Sequence, residues 1–372
     1  MGNLKTKGII LFIIGATLFS FSADARRAKN ILHNGELTIF YSYHFNGHDF
    51  EALREQLETK IKSAQEARSK ILFINEFAGP DIRALSTVTS RMGLSLQKVL
   101  TDHKHRSFLK EFFQTQVEAH NRTYESIGRG GSIFKDENFS SSEGFDRKLV
   151  DLLTQYRVET VLEQVSFESW RIYMLAEFYN TNYQTMIADG NIEGALKNLR
   201  KFLKNEAQSI LLRDGEFMDF ISSQVGPNTT ILSDRGLLHN GNMIPRSTDS
   251  YTISEVSAHS LINTPAYTIL LDDLGENRLS IADKEELMYK EIISHFAFLL
   301  LHNYRQDLPC NEMMRLAKEI SDIWGKKEAI EIAAELRHIE PENLFPFLHE
   351  MIHSDSRIDP GTAREFIIQD NE

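Results

Sequence analysis

The hydrophobic pattern changes period several times along the chain, and each change marks an element. ELTIFYSYH (Glu36–His44) is a β-branched and aromatic run with Asn-Gly on either side, which predicts a strand. In DFEALREQLETKIKSAQEA (Asp49–Ala67) the apolar residues Phe50, Leu53, Leu57 and Ile61 share one helical face, with Asp49 as the expected N-cap. KILFINEF (Lys70–Phe77) is a compact apolar run ending in a carboxylate, just before Gly79-Pro80. Strand, helix and strand joined by short connections make a βαβ unit, and therefore a parallel sheet.

Residues 83–127 have helical patterning, and a Gly/Ser-rich charged stretch follows (Ile127–Gly144). RVETVLEQV (Arg157–Val165) reads as a third strand. The span Trp170–Ile221 is helical with a break near Asp189-Gly190, TTILSD (Thr229–Asp234) is a short strand, and YTILLDD (Tyr267–Asp273) is expected as a late strand. From Ile281 to Ser354 the period is helical almost throughout, interrupted at Leu308-Pro309 and Pro341. The expected architecture is α/β: a mainly parallel sheet flanked by helices over roughly 30–275, with a helical insertion, then an all-helical C-terminal region over roughly 276–372.

The first residues do not fit this scheme. Lys5 and Lys7 precede the apolar run GIILFIIGATLFSFS, and Ala23 and Ala25 stand at the A-x-A spacing, which predicts a secretory signal peptide over residues 1–25. The run is shorter than the roughly 20 apolar residues of a membrane span. The expectation is an exported chain, periplasmic or secreted, with no membrane association once the signal is cleaved.

Composition sharpens this picture in two ways. The net charge of −12 opposes broad attraction to nucleic acid. A single cysteine, Cys310, excludes an intrachain disulfide and a cysteine metal cluster, so any metal must be held by His, Asp and Glu. Export without disulfides fits a bacterial envelope or secreted protein. No G-x-x-x-x-G-K-[ST] phosphate loop occurs.

Two constellations carry chemistry. His349, Glu350 and His353 spell H-E-x-x-H, which on a helix places both imidazoles on one face for zinc, with Glu350 beside a metal-bound water as general base. Asp359, six residues beyond His353, stands where a third ligand is needed, and Glu365 is another candidate; Ser356 replaces the glycine usual in such a motif. This reading is a zinc metalloprotease. Amphipathic packing of Leu344, Phe345, Leu348, Met351 and Ile352 explains the same helix without a metal.

The second constellation lies at expected strand ends, where parallel sheets bind ligands. The first strand ends in YSYHFNGHD with His44 and His48, the second in Asn75-Glu76, and the third carries Glu163. SILLRDGEFMDFI supplies Arg213 and Asp214 at the start of a helix, and the strand TTILSD runs into Arg235 and His239. A His beside a carboxylate can act as general base, Glu76 as base or metal ligand, and Arg213 as an oxyanion or carboxylate partner.

The order of these motifs resembles the superfamily of erythromycin-esterase-like hydrolases, TraB and Tiki proteins and ChaN-like haem-binding lipoproteins. INEF matches its Glu-ended strand, RDGEF its helix-opening R-[DN]-x-x-[FM], and Gly236 to His239 its G-x-x-H; YSYH stands where G-E-x-H is usual. The resemblance covers about residues 36–275. It implies hydrolysis of an ester or peptide bond in a small-molecule or peptide substrate, by His44, Glu76, Arg213 and His239. Resemblance to Tiki proteins further implies a divalent metal on His44, Glu76 and His239. A non-enzymatic alternative, binding a haem-like ligand or a host partner, follows from the ChaN-like members and the altered first motif.

Overall fold

The computed structural model describes residues 35–42, 47–76, 82–128, 143–226, 228–236, 239, 251–257, 264–276, 278–305, 307–336, 338 and 343–366. The expected signal segment and His44 lie outside these residues.

The chain folds as β1 (Gly35–Ser42), α1 (Gly47–Glu66), β2 (Lys70–Asn75), α2 (Ile82–Arg91), α3 (Leu96–Thr101), α4 (Arg106–Gly128), α5 (Glu143–Gln155) and β3 (Glu159–Leu162). Then come α6 (Phe167–Ala188), α7 (Ile192–Gln224), β4 (Thr229–Gly236), β5 (Tyr251–Ser257) and α8 (Pro265–Leu271), whose end widens into a π turn. The C-terminal helices are α9 (Ile281–Tyr304), α10 (Cys310–Ile323), α11 (Lys326–Leu336), α12 (Leu344–Ser354) and α13 (Pro360–Glu365).

The five strands form one parallel sheet in the order β3-β2-β4-β1-β5. The first βαβ unit is present, but β4 inserts between its two strands. As the central strand, β4 is buried from Thr229 to Arg235, which is why it reads as a continuous run rather than an alternation. Period-2 alternation divides the two faces. Phe40, Phe73 and Leu232 pack against α1 and α5 through Phe50, Leu53, Leu57, Ile61, Leu149 and Leu153. Leu37, Ile39, Tyr41, Leu72, Ile74 and Ile231 pack against Phe217, Met218 and Ile221 of α7. Each such fully buried side chain contributes about 1.5–3 kcal/mol of hydrophobic stabilisation.

Helices α6 and α7 form an antiparallel hairpin. Gly190 takes a left-handed φ of 65°, and Asn191 N–H donates back to the Met186 carbonyl at 2.8 Å, closing α6. Asn191 then caps α7 by accepting from Gly194 N–H at 3.0 Å. At the other end Glu216 of α7 accepts from Ser166 N–H at 2.9 Å and from the Ser169 hydroxyl at 2.8 Å, pinning the start of α6 to the middle of α7. A second core joins the far ends of both helices (Tyr183, Ile187, Leu199, Leu203) to α8 and the C-terminal helices through Ile292, Phe296, Leu316, Ile320, Leu348 and Phe366. Among the described residues no helix is long and apolar enough to cross a membrane.

Three local expectations are corrected. YTILLDD is helix, not strand. Thr264 accepts from Tyr267 N–H and Pro265 occupies the first turn, a helix start that outweighs the strand propensity of Tyr, Thr and Ile. Asp49 lies inside α1, which begins at Gly47. Arg213 and Asp214 do not open a helix; they sit in the second half of the 33-residue α7, which runs through Gly215. The fifth strand, YTISEVS, is an additional edge strand paired to β1.

Candidate functional site

The carboxyl ends of β2, β3 and β4 converge with the middle of α7. Glu76 immediately follows β2, Glu163 immediately follows β3, and Glu163 N–H donates to the Asn75 carbonyl at 3.0 Å, holding these two ends together. Arg235 shares the α7 face of β4 with Ile231, and the strand register places it beside Tyr41 of β1. Facing it from α7 are Arg213, Asp214 and Phe217, all buried.

Charge pairing at this rim is dense. Arg213 Nη2 lies 2.6 Å from Glu76 Oε1 and 2.9 Å from Glu163 Oε1. Arg235 bonds the other Glu163 oxygen, approaches Asp214 Oδ1 at 3.4 Å, and stacks over the Phe217 ring at 4.1 Å. His239 Nδ1 is 2.5 Å from Asp214 Oδ1, and its Nε2 is 3.3 Å from Glu76 Oε1. Gly236 N–H donates to Glu76 Oε2 at 2.8 Å. The network thus sets the acidic groups of Glu76, Glu163 and Asp214 against the bases of Arg213, Arg235 and His239. Glu76 has the most exposed side chain of the set, at 15%.

The electrostatics follow from burial and pairing. Burial pushes the Glu76 carboxyl up, but Arg213 and then His239 overcome it and hold the group well below the ordinary carboxylate range. Burial and Arg235 work against the imidazolium of His239, yet Asp214 and Glu76 raise its pKa overall. Asp214 and Glu76 thus stabilise the protonated ring against its burial.

A second layer of acids was not anticipated. Glu206, two helical turns before Arg213 on α7, is 91% buried (9% exposed), and its Oε2 has no hydrogen-bond partner among the described residues. Burial raises its pKa against the pull of Arg213 and His239. Glu177 of α6 is raised to about 7 by burial and by Glu206, and the Tyr173 ring carries the Arg213 guanidinium at 5.6 Å. Only the α6–α7 pairing brings these groups to the rim, so no local sequence signal announces them.

Of the residues anticipated at the rim, Glu76, Arg213 and His239 come together; His44 lies outside the described residues, and His48 falls within α1. For a divalent metal this leaves Glu76 and His239, and the Glu76 oxygens already accept from Arg213 and Gly236 N–H. Among the described residues no group of three or more His, Cys, Asp or Glu side chains is arranged to hold a metal ion.

The H-E-x-x-H segment lies on α12, remote in sequence from the sheet. His349 and His353 stand side by side with ring centroids 4.2 Å apart, and Glu350 is exposed. Burial and the adjacent His353 lower the His349 pKa. Asp359 caps α13, accepting from Gly361 N–H at 2.8 Å and Thr362 N–H at 3.1 Å, while Glu365 pairs with Arg305 at 2.7 Å. Both candidate third ligands thus have structural partners.

Comparison with protein-family models, with curated proteins and with solved structures finds no match to this chain.

Proposed function

We propose that the chain is a hydrolase of ester or peptide bonds, working at the carboxyl rim of the sheet. One observation supports this above the others: the His239 imidazole is held between Asp214 and Glu76, next to the Arg213 guanidinium. Asp214 fixes the ring and its tautomer, and Glu76 faces the reacting atoms as the most exposed acid.

In the proposed reaction Glu76 orients a water molecule against the acyl carbon. As the carbon–oxygen bond to water forms, negative charge develops on the acyl oxygen, and Arg213 turns from Glu76 toward it. Losing that guanidinium raises the basicity of Glu76, which accepts the water proton. His239 gives its proton to the departing alcohol or amine as the scissile bond breaks. Transfer of the Glu76 proton to His239 restores the starting state.

The test is hydrolysis by purified protein of a p-nitrophenyl ester series and of a mixed peptide library, with the metal content measured in parallel. The expected result is turnover of one class, lowered about 10²–10⁴-fold in Glu76→Gln and Arg213→Lys. Turnover undiminished in both variants, or turnover of neither class, sinks the proposal. Metal that stays bound in Glu76→Gln but is lost in His349→Ala moves the site to the H-E-x-x-H helix.

A further inference from the structure

The outer side of α7 carries a groove of about 640 Å³, formed with α8 and α9. Its volume is within the range of small-molecule sites, roughly 300–1,000 Å³. The floor is apolar and buried, made by Leu203, Ala207, Ile269 and Met288. Its lips include Leu211 and Ile281, which are 44% and 84% exposed and are two of the few large apolar side chains left in solvent among the described residues. An apolar concavity with a few charged groups at its edge has the make-up of a small-molecule site.

The polar part of the groove is cationic, on a chain whose net charge is −12. Arg200 and Lys204 lie one turn apart on α7, both exposed. Asp273 also lines the groove, but its carboxylate is engaged by Lys284 at 2.6 Å. From Arg200 to Leu211 the helix rises about 16 Å, so charged head and apolar tail are laid out along a single stripe.

We propose that this groove binds a single-chain anionic amphiphile, a free fatty-acid-like carboxylate, with its head group at Arg200 and Lys204 and its chain running over Leu203 and Ala207 to Leu211. The two ends of the groove carry the proposal: cations with no ion-pair partner among the described residues at one, exposed aliphatic side chains at the other, and a buried apolar floor between them. A bare carboxylate satisfies the first and an alkyl chain covers the second. This site is separate from the rim and does not depend on the proposed hydrolysis.

The probe is sodium dodecanoate below its micelle concentration, titrated calorimetrically into the full chain, with dodecyltrimethylammonium and anionic vesicles as comparison ligands. Leu211→Asp and the double variant Arg200→Glu/Lys204→Glu change exposed positions, and circular dichroism checks their folding. The expected result is saturable one-to-one binding of dodecanoate, weakened about tenfold or more in each folded variant, with the cationic amphiphile binding at least about tenfold more weakly. Absence of saturable binding, unchanged affinity in both variants, equal affinity for the cationic amphiphile, or binding to vesicles alone would each overturn the proposal.

Discussion

His239 Nδ1 lies 2.5 Å from Asp214 Oδ1, while its Nε2 faces Glu76 Oε1 at 3.3 Å. One imidazole thus spans the gap between α7 and the end of β2. Asp214 raises the His239 pKa against burial and the Arg235 charge. In Asp214→Asn the His239 pKa therefore falls. Histidine chemical shifts followed against pH read this directly; an unmoved His239 titration contradicts the assignment.

Arg235 is fully buried, at 0% exposure, and its guanidinium bridges Glu163 and Asp214. Replacing it by Met removes one charged partner from each carboxyl group inside the fold, leaving Glu163 with Arg213 and Asp214 with His239. The expected cost is about 3–5 kcal/mol, seen as a lower urea midpoint. Adding Glu163→Leu is expected to recover part of that loss, because an apolar pair removes the uncompensated charge.

Stability depends on pH through the same groups, with opposite signs. The Glu76 pKa is depressed, so its contribution is present above the ordinary carboxyl value of 4.5 and is lost as pH falls toward its folded value. The His239 pKa is raised, so its contribution is full below the ordinary 6.5 and is lost as pH rises through the folded value. Urea midpoints across pH are expected to fall on both the acid and the alkaline side. In Asp214→Asn the alkaline fall attributable to His239 is expected to flatten.

Glu291 of α9 adds a separate slope. Burial raises its pKa to about 7, against the hydrogen bond it accepts from Ala266 N–H at 2.9 Å. Between 4.5 and about 7 the folded state keeps a proton that the unfolded state has released, so stability drops as pH rises through that interval. Glu291→Gln keeps an acceptor for Ala266 and removes the titration. It is expected to be more stable than the parent above pH 7, by roughly 3 kcal/mol, and to show little advantage near pH 4.5. Thermal melts at the two pH values check this; equal gains at both would contradict it.

The parallel sheet was legible because buried strands of such sheets are short apolar runs, and KILFIN and TTILSD stand out as such. Convergence of Glu76 and His239 was legible because strand ends of an open α/β sheet share one rim; Arg213 reaches that rim from within α7 and not from the helix start expected of it. YTILLDD misled because β-branched content says nothing of a Thr-Pro start just upstream, where capping decided for helix. YTISEVS was overlooked as an edge strand with polar alternates and weak apolar content. Glu206 and Glu177 were illegible, since their position depends on two long helices pairing across a turn, and helical periodicity alone does not say which faces meet.

The proposed hydrolysis of an ester or peptide bond turns on His239 as its proton-transfer group. Its most direct test is the rate at which His239→Asn, shown to be folded by circular dichroism, cleaves the best substrate of the parent. The predicted result is a fall of about 10²–10⁴-fold in kcat/KM with a near-parental spectrum; a folded His239→Asn protein that retains the parental rate would contradict it.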